Sequence, residues 1–555
     1  NATLPPQLQN YVRKTPGEIV LLGAPIGTPE EAEIVLAEPI KKWQQRIDLI
    51  CRVAHHDPHV ALAMLRFSGS SSALMSLMRG VGPLPKLWNF VDGVVEKAIA
   101  DVISKPGMPA AALDQALSPT RFGGLGMTRA ALHAPLANAA AIVVGINMLA
   151  IDELLQKQWS HGIFNRTASL ALSALSSSKT GLAPFPQLQE SMKSFWRAAC
   201  RKAGEECAVL EPSLISGADD DAKPTGAASA SASAAAASPG SLLPSSSPQQ
   251  QPQRQQQQQQ QQQFPEPPRP KAGAKMQHLL SSWVEQMRFE ARVDACGADK
   301  RSRARLLALT AKHTSAWLYS SCFTTALRLW LPKPSFYLVI RFRLGLEIGP
   351  EQPCTLCFGK ERSDALGSHS LSCRFNGGKT LMHAAVLDEI MRLATAADAN
   401  PRREVHAFPK RPHLRMDAVF SLPCDRMHSN LVDVAITNCL CESTLRHESC
   451  FGPGRAATEY EQLKRRSYAE AMAEERPSDT LVPLVYDVFG GCGDSGSPVV
   501  AQLIEHRTRR AELPRVTVAR MVHHRINFVI VESVAKILGA NALRTDLDLQ
   551  DSAAS

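Results

Sequence analysis

A stretch near the middle of the chain has no means of folding, and it divides everything around it. Between residues 208 and 272, Ala and Ser dominate as far as Ser247. Gln255 to Gln263 then follow unbroken, and Pro265, Pro267, Pro268 and Pro270 close the segment. Such a composition buries too little apolar surface to offset the entropy lost on ordering, so a disordered linker is expected, serving as a spacer. The remainder of a 555-residue chain has to build its cores on either side of that spacer. With 44% apolar residues it has the material to do so.

Upstream, Glu18-Ile-Val-Leu-Leu-Gly23-Ala-Pro25-Ile-Gly27 predicts a short apolar strand and a turn. From Glu30 to about Cys207 the pattern is helical, with Ala61, Met64, Leu65 and later Leu74, Leu77 and Met78 at three- and four-residue spacing. The Gly-rich run Arg121-Phe-Gly-Gly-Leu-Gly126 breaks it, and nothing in it forms a catalytic constellation. Downstream of the linker, helices are expected over 276–291, 301–314 and 336–346, before Pro350 and Pro353 interrupt the chain. The longest apolar run, 139–151, contains Asn147 and is too short to cross a bilayer. The first residues lack a signal-peptide pattern, and the 13 cysteines are an odd total with metal-like spacing in their tightest pair. A reducing, intracellular setting is therefore expected. The absence of an initial Met predicts a piece of a longer polypeptide.

Cys354-x2-Cys357-x11-His369-x3-Cys373 supplies three thiolates and one imidazole. A two-residue gap brings both sulfurs of the first pair to one ion, and His369 and Cys373 lie on one side of a helical turn. Soft sulfur with imidazole and no open position predicts structural Zn²⁺, the alternative being four incidental residues. Next come a helix over 380–396, strands over 404–408, 416–422 and 431–437, a helix over 456–475 and a strand over 480–489. That order suits a small mixed sheet with helices packed on it.

Asp417 opens the second strand. Asp433 lies on the third, on the face opposite Val432, Val434 and Ile436. Two carboxylates on adjacent strands are able to share a hard cation such as Mg²⁺ or Mn²⁺, although each alone reads as an edge charge or turn former. On the following helix, Tyr460, Leu463, Lys464, Ser467, Tyr468 and Ala471 form an inward stripe that Lys464 interrupts. A buried ammonium needs a partner, which the Asp pair and a phosphate substrate would provide, unless Lys464 snorkels to the helix edge.

Basic residues cluster around the pair: Arg402, Arg403, Lys410, Arg411 and Arg415 before it, and Arg465 and Arg466 after Lys464. A further run extends from Arg507 to Arg525. The net charge of +9 is modest, but this clustering favours a polyanionic partner.

Knuckle, Asp, Asp and displaced Lys with a Tyr four residues on, in that order, resemble the C-terminal part of non-LTR retrotransposon proteins. The resemblance implies a CCHC knuckle followed by a restriction-like endonuclease of the PD-(D/E)XK class. Asp417 then matches the first carboxylate and Asp433 the second. Ala435 stands where the class usually has Lys, Lys464 matches the relocated lysine, and Tyr468 joins the site. His383 resembles a histidine near the start of the first helix. Met416 replaces the expected Pro, and Met382 an expected Arg.

The upstream half is similar to the same family: 1–30 to the last palm strands of a reverse transcriptase, and 31–207, with its Arg121–Gly126 run, to the thumb. The resemblance implies an α+β multidomain chain with these two segments, the linker at 208–272, a helical connector at 273–350 and the knuckle at 351–376. An endonuclease domain at 377–540 and a tail at 541–555 complete it. DNA and element RNA are the implied partners, and the nucleus, or the cytoplasm before import, the implied location. No aromatic-x-Asp-Asp strand occurs, so polymerase activity is not expected. The other class of function is a nucleic-acid-binding remnant that no longer cleaves.

Gly493-Asp-Ser495-Gly resembles the nucleophile loop of trypsin-type proteases, and Thr310-Ala-Lys-His313 faintly the histidine segment. Helices, knuckle and mixed sheet lie between them rather than a double β-barrel, so Ser495 is expected merely to cap a helix starting near Ser497.

Overall fold

The computed structural model describes residues 19–21, 24–26, 29–81, 84–105, 107–149, 276–322, 329–354, 357–423, 425–447 and 451–540. The linker expected at 208–272, the tail at 541–555 and the expected helical residues 150–207 lie outside them, as does most of 1–30. Contacts divide the chain into two compact units, 1–138 with 281–555, and 139–280. Of the smaller unit, the described residues are the end of one helix and the start of another.

The larger unit begins with the hairpin β1 (Ile19–Leu21) and β2 (Ala24–Ile26), as the apolar run and Gly/Pro turn predict. Helices α1 (Pro29–Ala54), α2 (Pro58–Met64), α3 (Met75–Val81), α4 (Pro85–Val102), α5 (Ala110–Ala116) and α6 (Ala130–Leu149) follow. Leu36, Ile40, Trp43, Ile47 and Ile50 on α1 recur at three- and four-residue spacing and are all buried, which sets the side of α1 that packs on α2 and α4. The helical stretch Pro58–Val81 has the length and composition to cross a membrane. Its Ala61, Leu62, Leu65 and Met78 are nevertheless fully covered by the surrounding core.

Beyond the undescribed segment come α7 (Met276–Ala295), α8 (Lys300–Ala308) and α9 (Lys333–Leu344). They do not form a separate connector, because they share a core with the helices upstream of the linker. Nε2 of His59 donates to the Trp317 carbonyl at 3.0 Å, and its Nδ1 accepts from the Leu331 N–H at 3.1 Å. Asp114 pairs with Arg288 and Arg292, and Phe122 stacks on Phe289. The Arg121–Gly126 turn is received by residues 315–343. Tyr319 donates to the Leu125 carbonyl, and Arg343 donates to the Gly124 carbonyl. Only glycine fits at 124, where a Cβ would lie 2.0 Å from the Ser118 carbonyl oxygen. The divisions expected at 207 and 273 therefore do not separate two cores among the described residues.

The Cys/His segment holds the short pair β3 (Gln352–Pro353) and β4 (Arg362–Ser363), with the turn helix α10 (Ser368–Ser372). Next are α11 (Gly378–Ala396), β5 (Arg402–Val405), β6 (Met416–Leu422), β7 (Asp425–Thr437), the turn α12 (Glu442–Leu445) and α13 (Arg455–Glu475). β8 (Thr480–Asp487), α14 (Gly496–Ala511) and α15 (Arg515–Gly539) end the described chain. The sheet runs β5-β6-β7-β8. Its first three strands are antiparallel, while β8 is parallel to β7 across the α13 crossover. The chain is thus mixed α/β, largely helical, with a four-stranded mixed sheet in its C-terminal part.

One face of the sheet, with Ala418, Phe420, Val432, Val434, Val482 and Leu484, joins the main core with α11, α14 and α15. The other, with Val419, Leu431 and Leu481, packs against Tyr468 and Ala471 of α13.

Candidate active site and metal centre

β6 and β7 part where Asp417 stands. Their ladder runs inward from Ala418 opposite Val432, which by continuation sets Asp417 opposite Asp433. Beyond that point the Asp417 side chain takes over a ladder role, its Oδ2 accepting from the Val434 N–H at 2.7 Å. The same oxygen lies 3.1 Å from Nε2 of His383 in the first turns of α11. Burial pushes the Asp417 carboxyl up, but the His383 bond and charge, the Val434 N–H and Lys464 outweigh it and hold it below its ordinary value. His383 is raised in return, first by its hydrogen bond to Asp417.

Asp433 is 5% exposed on the α13 side of the sheet. Nζ of Lys464 sits 3.0 and 3.3 Å from its two carboxylate oxygens, and Tyr468, one turn further along α13, lies near enough for its hydroxyl to favour the charged carboxylate. Burial raises the Asp433 carboxyl above its ordinary value, the Asp417 charge adds to this, and Lys464 opposes both. For Lys464, burial lowers the ammonium but the Asp433 charge outweighs it, so the net shift is upward. Burial and Asp433 together raise the Tyr468 phenol strongly. Lys464 does not snorkel away from the sheet.

The stripe expected on α13 is displaced by part of a turn. Tyr460 and Leu463 are 36% and 50% exposed, and Ser467 is exposed too. The covered line is Ala457, Glu461, Tyr468 and Ala471, with Lys464 half-covered at its edge. Glu461, absent from the sequence reading, is fully buried. Its carboxylate accepts the N–H groups of Ser495 at 2.8 Å and Gly496 at 3.0 Å, so it caps α14 from another element. A Cβ at Gly493 would lie 2.4 Å from that carboxylate, which accounts for the glycine. Ser495 holds the N-cap position expected of it, but its hydroxyl caps nothing and instead bonds Glu461. His313 stacks on His523 with ring centroids 3.5 Å apart, and among the described residues no hydrogen bond joins it to Ser495.

The four knuckle residues do come together. One donor atom from each of Cys354, Cys357, His369 and Cys373 lies within 4.8 Å of the others, close enough to hold one metal ion. The turn Cys354–Gly359 is closed by the Gly359 N–H on the Cys354 carbonyl. Asp364 caps the second half through the N–H groups of Leu366, Ser368 and His369. Nε2 of His369 points at the Cys357 sulfur, 3.7 Å away, while Nδ1 bonds Glu361 at 2.8 Å. A carboxylate on the outer nitrogen fixes the tautomer that leaves Nε2 free to ligate.

The basic residues chosen from sequence divide into two groups. Arg411 is committed to Glu470, Glu474 and Glu475 of α13, Arg403 to Asp388, and Arg415 to Glu404. Arg402, Lys410, Arg465 and Arg466 are exposed, Lys410 bonding Glu475 only through its backbone N–H. Searches of protein-family models and of curated proteins returned no match to the chain.

Proposed function

We propose that this chain is a retrotransposon-derived protein whose C-terminal part is a metal-dependent DNA endonuclease that nicks target DNA for element insertion. The observation that carries the reading is the convergence of Asp417 and Asp433 from neighbouring strands with Lys464 from the crossover helix, 3.0 Å from Asp433. Among the described residues Oδ1 of Asp417 has no hydrogen-bond partner, which leaves a hard oxygen donor open to a cation, while Lys464 holds the Asp433 carboxylate on the neighbouring strand. Mg²⁺ or Mn²⁺ bound there would activate water and offset phosphate charge. Asp417 and Asp433 would hold the cation, Lys464 would face the charge developing on the phosphate, and Tyr468 and His383 would orient the two carboxylates. Three thiolates and an imidazole with no open position suit Zn²⁺ in a structural role at Cys354, Cys357, His369 and Cys373. DNA and element RNA are the proposed partners and the nucleus the proposed location, with no polymerase activity from this chain.

The test is nicking of supercoiled plasmid by the full chain with Mg²⁺, Mn²⁺ or EDTA, beside Asp433→Ala. Cleavage that needs the cation and disappears in the variant supports the reading. The second reading, a binding remnant, draws on His383 and Lys464 already neutralising both carboxylates. Salt-dependent DNA binding without nicking under any cation would establish it.

A further inference from the structure

The last basic run of the sequence is sorted by the fold. Arg509 and Arg515 share Glu505 at 3.3 and 3.2 Å, and Arg510 reaches Asp398 at 3.6 Å. Arg525 of α15 turns toward α11 and grips both oxygens of Glu389, through Nε at 3.1 Å and Nη2 at 3.0 Å. Arg392, on the next turn of α11, takes the same carboxylate through Nε at 3.0 Å. Glu389 is thereby fully engaged.

Arg507 of α14 stands half-buried beside this group and makes no ion pair or hydrogen bond of its own among the described residues. Burial lowers its guanidinium first, and the charges of Arg392 and Arg525 lower it further, against Glu389 alone. α14 packs on both α11 and α15, so the half-buried Arg507 brings a third guanidinium toward the two that already share Glu389, and positive charge is in excess there. Repulsion of that kind is relieved by an anion, and the planar fork of a guanidinium matches phosphate oxygens.

We propose that Arg507 and Arg392, backed by the Arg525–Glu389 pair, form a docking site for a backbone phosphate of nucleic acid, distinct from the Asp417–Asp433 pair. The inference rests on the nucleic-acid reading above and adds a second surface to it. α11 joins the two places: His383 near its start meets Asp417, and Glu389 lies ~9 Å further along the axis, on the side facing α14 and α15.

The test uses the full chain and a labelled DNA duplex, with affinity measured between about 50 and 200 mM salt, the range over which phosphate contacts show themselves. Arg507→Gln and Arg392→Gln are compared with the unsubstituted chain, and thermal unfolding is followed in parallel. Each variant is expected to lower the salt slope by about one and to bind several-fold more weakly at the low-salt end. Arg507→Gln is expected to unfold at the same or a higher temperature, because a repelling charge has gone. Unchanged affinity and slope would overturn the docking site, as would weaker binding accompanied by a lower unfolding temperature, which marks a structural role. In either case cation-dependent nicking by the unsubstituted chain would leave the nuclease reading standing. If the unsubstituted chain binds no DNA, both fall.

Discussion

Like charges on neighbouring strands destabilise a sheet, and Asp417 and Asp433 stand just past the last ladder pair, Ala418 opposite Val432. Their cost is met locally by His383 on one and Lys464 with Tyr468 on the other. Lys464→Met should therefore reduce nicking by about 10²–10³-fold, the usual loss when one group facing developing charge is removed. Single-turnover cleavage checks this, and a rate within threefold of the unsubstituted chain (roughly 0.6 kcal/mol) would remove Lys464 from the site. Two other buried groups contribute to the pH dependence of the fold. Burial pushes His59 down to about 4, so the folded chain keeps it neutral. Its contribution is complete above the unfolded value near 6.5 and is lost as pH falls toward 4. Asp487 behaves oppositely, because burial pushes it up to about 7 against an ordinary 3.8. Its contribution is present at low pH and lost as pH rises through about 7. Asp487→Asn keeps the acceptor for the Phe489 and Gly491 N–H groups while removing the titration. Denaturant unfolding of that variant should gain stability between pH 5 and 7 more steeply than the unsubstituted chain, and equal slopes would refute the assignment.

Secondary-structure elements here are fastened by side chains from other elements. Glu461 on α13 satisfies two N–H groups at the start of α14, so Glu461→Ala should cost ~1–3 kcal/mol of stability, with Glu461→Gln milder. Denaturant titration measures it. In the knuckle, Glu361 sets the tautomer of His369, and Glu361→Gln should weaken metal binding ~10-fold or more without removing a ligand. Competition with a chelator of known affinity reads this directly. The knuckle is also tied to the sheet, since Asn438 just past β7 donates to the Ser372 hydroxyl at 2.9 Å. Removing the metal, or Cys357→Ser, is therefore expected to lower the unfolding temperature of the chain beyond the knuckle itself.

For the whole molecule, the decisive feature is a core shared across the linker. His59 on Trp317 and Leu331, Asp114 on Arg288 and Arg292, and Arg343 on Gly124 all join residues before 138 to residues after 281. Burial of those groups does not depend on the covalent connection. Coexpressed 1–207 and 273–555 should consequently copurify and unfold in one transition. Independent elution of two folded pieces would show that the shared core is not needed.

Periodicity and spacing determined the local order of this chain. The strand 416–422, the second half of Asp425–Thr437, the helices after the knuckle and the two ligand pairs of the Cys/His cluster were legible because each depends on side chains a few residues apart. The placing of Asp417 and Asp433 on adjacent strands was legible too, and parity set Asp433 on the face opposite Val432 and Val434; which helix covers that face was not. The remainder depends on contacts made across long stretches of sequence. Glu461 reads locally as one more solvent-facing glutamate, and only the approach of Gly493 to Gly496 makes it a buried cap. Arg411 and Arg507 look alike in sequence. The fold gives the first three carboxylates and leaves the second half-buried without an ion pair among the described residues, its charge disfavoured by Arg392 and Arg525. The linker separates the halves along the chain, but apolar burial acts on surfaces wherever they meet, and it drew those halves into one core.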